Sequence, residues 1–327
     1  MSDNTVLSAS DHGLPDTSET QAAARSTAPD LARVSPNGDA LNQPPPPGLT
    51  DLVDAGPASP QAVVAKKANS FEALLSGVSS RKPNALFYGG YAAVLDEVHG
   101  EDEHEFFGMT LRAPSGVYSP SPLGSSSFVA RNWACAGLDA ASLDAAIQAA
   151  AAQATALRAP EVELEAWLPK TLLEIGCGSG ALSLFAARQG WLVTASDVNP
   201  DAVAAARENA QRNHIALDFS QSDLFEAHAG QKFDVILFNL PFLHKSNVAM
   251  HEIALSDTDG GVARRFLDQA HDHLAPNGRL VFTFSNCSDA ALLDRPDWAF
   301  EVASCHYDNR LHYWLTLLIA TPTNQRG

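Results

Sequence analysis

The stretch Leu172-Leu-Glu-Ile-Gly-Cys-Gly-Ser-Gly-Ala181 constrains this 327-residue chain more than any other. An apolar run, Thr171 to Ile175, ends in three alternate glycines, Gly176, Gly178 and Gly180, and a helix-compatible segment from Ala181 to Arg188 follows at once. Strand, glycine loop and helix in that order bring backbone close to a nucleotide-like ligand. Alone the pattern is weak. Its weight comes from an acid at Asp197 and the tetrad Asn239-Leu-Pro-Phe242, placed where a second and a fourth parallel strand end.

Apolar strand-like runs alternate with helical ones along the second half of the chain. The runs fall at 171–175, 191–196, 215–219, 233–238, 278–284, 299–305 and 311–320, and the helices between them at about 181–189, 200–213 and 258–274. Such alternation predicts an α/β fold, a doubly wound, mostly parallel sheet of seven strands with helices on both faces. The last two runs leave no room for a helix between them, so they pair as a terminal antiparallel hairpin. Residues 161–327 form this Rossmann-like, ligand-binding domain. Before it, an alanine-rich pattern from Leu138 to Leu157 reads as a helix stopped by Pro160, linking over 135–160. Residues 69–134 read as a smaller substrate-side region, with a short helix at Phe71 to Leu75, a solvated turn at Glu101 to Glu105 and a strand at Phe106 to Leu111. Residues 1–68 are rich in Ser, Ala, Pro, Asp and Asn, bury little apolar surface, and read as a disordered leader.

The net charge is -17, from 38 acids and 21 bases. A field of that sign repels phosphates and disfavours extended nucleic-acid binding. No apolar run approaches a membrane span of ~18 residues. The N-terminus lacks the charged and apolar regions of a secretory signal, and the four cysteines show no paired or metal-like spacing. A reduced, cytoplasmic setting is expected, with no metal.

Gly176-x-Gly178-x-x-Ala181 also satisfies the relaxed dinucleotide fingerprint, with Asp197 about 20 residues on, where it could bind ribose hydroxyls. An NAD-dependent oxidoreductase therefore competes. Glu174 argues against it. A carboxylate at the mouth of the site repels a pyrophosphate but suits a ligand with an ammonium and a sulfonium, such as S-adenosyl-L-methionine.

At these residues the chain resembles the class I S-adenosylmethionine-dependent methyltransferases. Leu173 to Gly180 is similar to their first motif and Ala195-Ser-Asp-Val-Asn-Pro200 to their second. The resemblance implies glycine backbone against the methionine part, Asp197 on the ribose, Val198 along the adenine and, from Ser222-Asp-Leu-Phe225, Asp223 towards the adenine amino group. The bland alternative for Asp223 is a turn or helix cap.

Asn239-Leu-Pro-Phe242 follows a near-continuous apolar strand. Asn and Pro are ordinary turn formers, but the tetrad resembles the Asn-Pro-Pro-Tyr/Phe motif of amino-group methyltransferases. A carboxamide or exocyclic amine has a delocalised lone pair. The Asn239 carbonyl and a backbone carbonyl beside Pro241 can accept its two N–H bonds and aim that lone pair, so positioning supplies much of the rate. Phe242 would lie on the planar acceptor. Leu240 stands where the family carries its first proline. Pro114-Ser-Gly-Val-Tyr-Ser-Pro120, Asp257-Thr-Asp-Gly-Gly261 and Pro276-Asn-Gly278 are similar to segments of the release-factor glutamine and small-domain guanine-N2 methyltransferases. The resemblance implies methylation of an amide or amino nitrogen in a protein glutamine or an RNA base. Methylation of a small metabolite and a cofactor-binding module without turnover are the alternatives.

Among the histidines, His244 and His251 lie near the tetrad, and His244 could meet substrate. His271 and His273 at a helix end, and His306 and His312 in the closing hairpin, read as structural.

Overall fold

The computed structural model describes residues 83, 103–118, 120–121, 124–139, 170–243, 255–308 and 311–323. The leader, the short helix at 71–75, the body of the linking helix, and His244 and His251 lie outside the described residues.

Two strands, β1 (Glu103–Phe106) and β2 (Met109–Arg112), pair antiparallel ahead of α1 (Ser125–Arg131). The expected turn at Glu101 to Glu105 and the single strand at Phe106 to Leu111 are thereby corrected. Glu103 to Glu105 belong to β1, and the chain reverses at Phe107 and Gly108, both at positive φ. Two positive-φ residues match the twist of a tight hairpin, a conformation that Gly108 adopts freely. Asn209 fastens the hairpin to the rest. Its Nδ2 donates to the carbonyls of Arg112 (2.8 Å) and Ser179 (2.9 Å), and its Oδ1 accepts from Arg112 N (2.8 Å).

The main sheet is built from β3 (Thr171–Ile175), β4 (Leu192–Asp197), β5 (Asp218–Gln221), β6 (Phe233–Phe238), β7 (Leu274–Ser285), β8 (Trp298–Asp308) and β9 (Tyr313–Pro322). Its order is β5-β4-β3-β6-β7-β9-β8. All pairs are parallel except β7–β9 and β8–β9, because β9 inserts antiparallel between its two neighbours. The expected seven strands and closing hairpin are present.

The third strand starts later than the sequence implies. Helix α3 (Pro200–Arg212) ends with His214 at φ 56 and Ile215 N donating back to Ala210 O at 2.9 Å. This left-handed cap draws Ile215 against the helix end and out of the strand. The expected helix over 258–274 is α4 (Gly261–Ala270) between two 3-10 turns.

Strands buried on both faces read as unbroken apolar runs. Leu173, Ile175, Ile236, Phe238, Phe266 and Phe282 fill one side of the sheet. On the other, Leu172, Val235 and Leu237 meet α2 (Ala181–Arg188), and there Phe106, Met109, Leu111, Val129 and Trp133 join the same core. The hairpin and residues 124–138 thus pack directly on this face, and Gly116, Val117, Tyr118, Pro120, Ser125 and Ser126 reach the carboxyl ends of the strands.

Candidate active site

Those strand ends meet in a cavity of about 280 Å³. Glu174, Gly176, Gly178, Asp197, Val198, Asp223, Asn239, Pro241 and Phe242, all expected in the site, line it together. Gly180 does not. At φ 82 it turns the chain into α2, and a Cβ there would stand 3.0 Å from that of Ala206, so its role is close packing of α2 on α3.

Gly176 forms the wall itself. Its φ is 65, and a Cβ would come within 2.7 Å of the Phe238 ring. Asp197 closes β4 beneath the loop. Its Oδ2 accepts from Gly178 N at 2.8 Å and its Oδ1 from Asn199 N at 2.9 Å. Each oxygen keeps a lone pair for a further donor. Burial raises the Asp197 pKa, and the backbone N–H groups of Asn199, Gly178 and Val198 oppose the shift.

Glu174 is 2% exposed and accepts a hydrogen bond from Ser183 Oγ on α2. Burial lifts its pKa to about 8 against the help of Ser183, with Asp197 adding to the rise. This corrects the expectation of a standing carboxylate. Without a cationic neighbour the group is largely protonated near neutrality.

Asp223 is held in a two-pronged ion pair. Arg265 on α4 donates from Nη2 to Oδ1 (2.6 Å) and from Nη1 to Oδ2 (2.9 Å). Asp223 also opens a turn, its carbonyl accepting from Glu226 N at 3.3 Å, while Arg265 clamps its carboxylate beside the cavity. Asp257 sets the clamp in place, accepting from Val262 N at 2.8 Å and Ala263 N at 2.9 Å and so capping the first turn of α4.

The Asn239–Phe242 turn follows β6. Asn239 Nδ2 donates to Ser125 Oγ (2.9 Å) and Ser126 Oγ (3.2 Å) on α1, and its Oδ1 accepts from Thr283 Oγ1 (3.0 Å) on β7. Leu240, in place of proline, closes a tight turn in which its N donates to Phe238 O at 3.0 Å. Its side chain is buried in the core. Phe242 lines the cavity with one face and packs near Tyr313, Cys287 and Leu315 behind it. Pro120, Tyr118, Ser125 and Ser126 complete this end. The Tyr118 hydroxyl lies 3.3 Å from Ser125 Oγ, and burial raises its pKa.

A sequence profile described as the methyltransferase small domain matches residues 150–291. The release factor glutamine methyltransferase of Lactococcus lactis subsp. lactis is 37% identical over 122 residues, which cover 33% of this chain and 45% of the relative. That profile spans the glycine loop, Asp197 and the Asn239 turn. Residues 150–291 carry a methyltransferase small domain, consistent with the class I resemblance.

Ribosomal RNA small subunit methyltransferase C of Alcanivorax borkumensis is 33% identical to the chain over 112 residues, covering 34% of this chain and 31% of the relative. A solved 16S rRNA N2 G1207 methyltransferase from T. Thermophilus, in complex with AdoMet and guanosine, shares 21% identity and a TM-score of 0.46, over 68% of this chain and 50% of that one. The match spans about half the length of the curated relatives.

Several site residues of the methyltransferase domain escaped the sequence reading, notably Ser125, Ser126, Thr283 and Arg265. Ser125 and Ser126 follow Gly124 in a Ser-rich stretch that reads as loop, and Thr283 sits inside an apolar strand run. The helical spacing of Val262 and Arg265 was the one available signal, since it puts both on one face of α4. His271 does not stand as a bare helix-end cation, for its Nε2 lies 3.1 Å from Asp297 Oδ2. His273 stacks on Phe225. Among the described residues no group of His, Cys, Asp or Glu is placed to hold a metal ion, and no helix is long and apolar enough to cross a membrane.

Proposed function

We propose that this chain transfers a methyl group from S-adenosylmethionine to a planar amide or amino nitrogen, with a protein glutamine carboxamide favoured over an RNA base. The observation that carries the reading is Asn239. It stands at the end of β6 in the same cavity as the glycine loop and Asp197, its amide already oriented by three hydroxyls.

The cavity wall fits the cofactor. At Gly176 the Phe238 ring takes the space a Cβ would need, and the bare backbone of Gly176 and Gly178 on the cavity wall suits a close approach to the methionine part. The spare lone pairs of Asp197 suit ribose hydroxyls, Val198 offers an apolar edge, and Asp223 suits the adenine amino group. Glu174 suits a cationic amine. When bound, the cofactor supplies a methyl group on a positively charged sulfur.

The acceptor end follows from the chain's own groups. Asn239 Oδ1 and the carbonyl between Leu240 and Pro241 accept the two N–H bonds of the acceptor, while Phe242 walls its planar face. Holding the nitrogen there replaces a chance encounter with a fixed approach. The nitrogen sheds its proton to water late or after transfer, so no side chain has to act as a strong base. Among the described residues Arg265 is the one basic side chain on the wall, and it is paired with Asp223. A phosphate-bearing acceptor therefore finds little here to neutralise it, and the charge of -17 adds to that bias. The nicotinamide alternative loses ground for a topological reason, since dinucleotide sheets run 3-2-1-4-5-6 without an inserted antiparallel strand.

The test has two parts. Calorimetric titration with S-adenosylmethionine should show saturable binding, and its absence in folded protein would remove the reading altogether. Tritiated-methyl labelling of a fractionated cell lysate should place counts in protein and release N5-methylglutamine on proteolysis. Counts confined to RNA or to small molecules would overturn the acceptor assignment.

A further inference from the structure

Thr283 lies on β7 beside the end of β6, one residue beyond the Phe238–Phe282 pair, and is fully buried. It does not line the cavity. Its hydroxyl donates to Asn239 Oδ1 at 3.0 Å, while the Asn239 amide donates to Ser125 Oγ and Ser126 Oγ on the opposite side.

A carboxamide has two N–H donors and one oxygen with two lone pairs. In the observed orientation both donors are used, one lone pair is taken by Thr283, and one remains. Turned over, the oxygen would face two serine hydroxyls and the NH2 group a single threonine oxygen. One N–H would then lack a partner in a part-buried place, which is the costlier arrangement. The two orientations have the same shape, so hydrogen bonds alone choose between them.

We infer that Thr283 is a positioning residue for methyl transfer. It holds the Asn239 amide with its oxygen turned so that one lone pair stays available to the acceptor's N–H. This rests on the reading that Asn239 receives the acceptor nitrogen. Ser125 and Ser126 serve the same end from the other side, so α1 and β7 jointly fix the group that meets the substrate.

Thr283→Val keeps the shape and removes the donor, whereas Thr283→Ser keeps the donor. Each is compared with wild type in tritiated-methyl labelling of one lysate at saturating S-adenosylmethionine, and in calorimetric titration with that cofactor. The valine variant should bind cofactor within about twofold of wild type yet label on the order of tenfold more slowly. The serine variant should keep most of the rate. The inference is overturned if valine labels at the wild-type rate, if valine loses cofactor affinity in step with rate, or if serine falls as far as valine. Should the valine variant not fold, Thr283→Ala removes the same donor with less steric demand, and an unchanged rate there overturns the inference equally. Wild type that binds cofactor but labels nothing removes the proposed transfer itself. Wild-type labelling with unaffected variants removes the positioning role alone.

Discussion

Glu174 is a carboxyl whose charge depends on what arrives beside it. Burial lifts its pKa to about 8, so near pH 7 the proton stays on until a cation comes within reach. Binding of a ligand carrying an ammonium should then expel that proton. Measured at pH 7 in two buffers of different ionisation enthalpy, the heat of S-adenosylmethionine binding should differ by up to about one proton's worth. Glu174→Gln should lose most of that buffer dependence, and a variant that keeps it would place the proton elsewhere. The Asp223–Arg265 clamp yields a second prediction at this scale. Both partners are substantially exposed, so the pair contributes little to folding. It fixes the direction of the Asp223 carboxylate instead. Arg265→Ala should leave the melting temperature unchanged and weaken S-adenosylhomocysteine binding by about three- to tenfold. The same variant should also discriminate less against an analogue whose purine lacks the amino group. Equal discrimination in both proteins would remove the clamp from adenine recognition.

The turn after β6 shows how an element absorbs an unusual residue. A proline at position 240 would preset the backbone, but it could not donate the hydrogen bond that Leu240 N makes to Phe238 O. The leucine also fills the core under the turn, where it is 4% exposed. Leu240→Pro should therefore lower the unfolding free energy by about 2–4 kcal/mol through the lost side-chain burial and the lost donor. Leu240→Ala, which keeps the N–H, should recover part of that loss. Denaturant midpoints of the two variants measure the difference, and equal midpoints would show that the N–H contributes nothing. Cofactor affinity should stay near wild type in both, because the glycine loop lies on another strand. The same elements show what the sequence could reveal. Thr171 to Arg188 was legible because strand, loop and helix are each determined locally, by an apolar run, glycines at positive φ and helix-forming residues. The hairpin was not, since Phe106 to Leu111 reads as one apolar stretch and Phe107-Gly108 is a weak turn signal beside Asn-Gly. The surroundings of Asn239 were hidden for another reason. Ser125 and Ser126 lie more than a hundred residues away and Thr283 lies 44 away, so only the folded sheet brings their hydroxyls to the amide.

Across the whole molecule, two carboxyls pull stability in opposite directions with pH. Arg295, with help from His271, holds Asp297 down to about 2. Its contribution is therefore present above the ordinary value of 3.8 and is lost as the pH falls through about 2. Glu174 works the other way. In the unfolded chain it ionises near 4.5 but in the fold only near 8. Between those values the unfolded state gives up a proton that the folded state keeps, so stability declines as pH rises through that window and levels off above it. A shift of that size amounts to a few kcal/mol, on the order of 5. The net charge of -17 also destabilises the fold as pH rises, by mutual repulsion across the surface. Salt separates the two, because it screens exposed charges over roughly 10 Å at 0.1 M but reaches a buried carboxyl poorly. Cofactor-free protein unfolded by urea should thus be less stable at pH 8.5 than at pH 5. Raising the salt should recover only part of the difference, and Glu174→Gln should remove most of the remainder. A pH slope that vanishes in salt alone, or survives unchanged in the glutamine variant, would assign the effect to surface repulsion and leave Glu174 without a part in it.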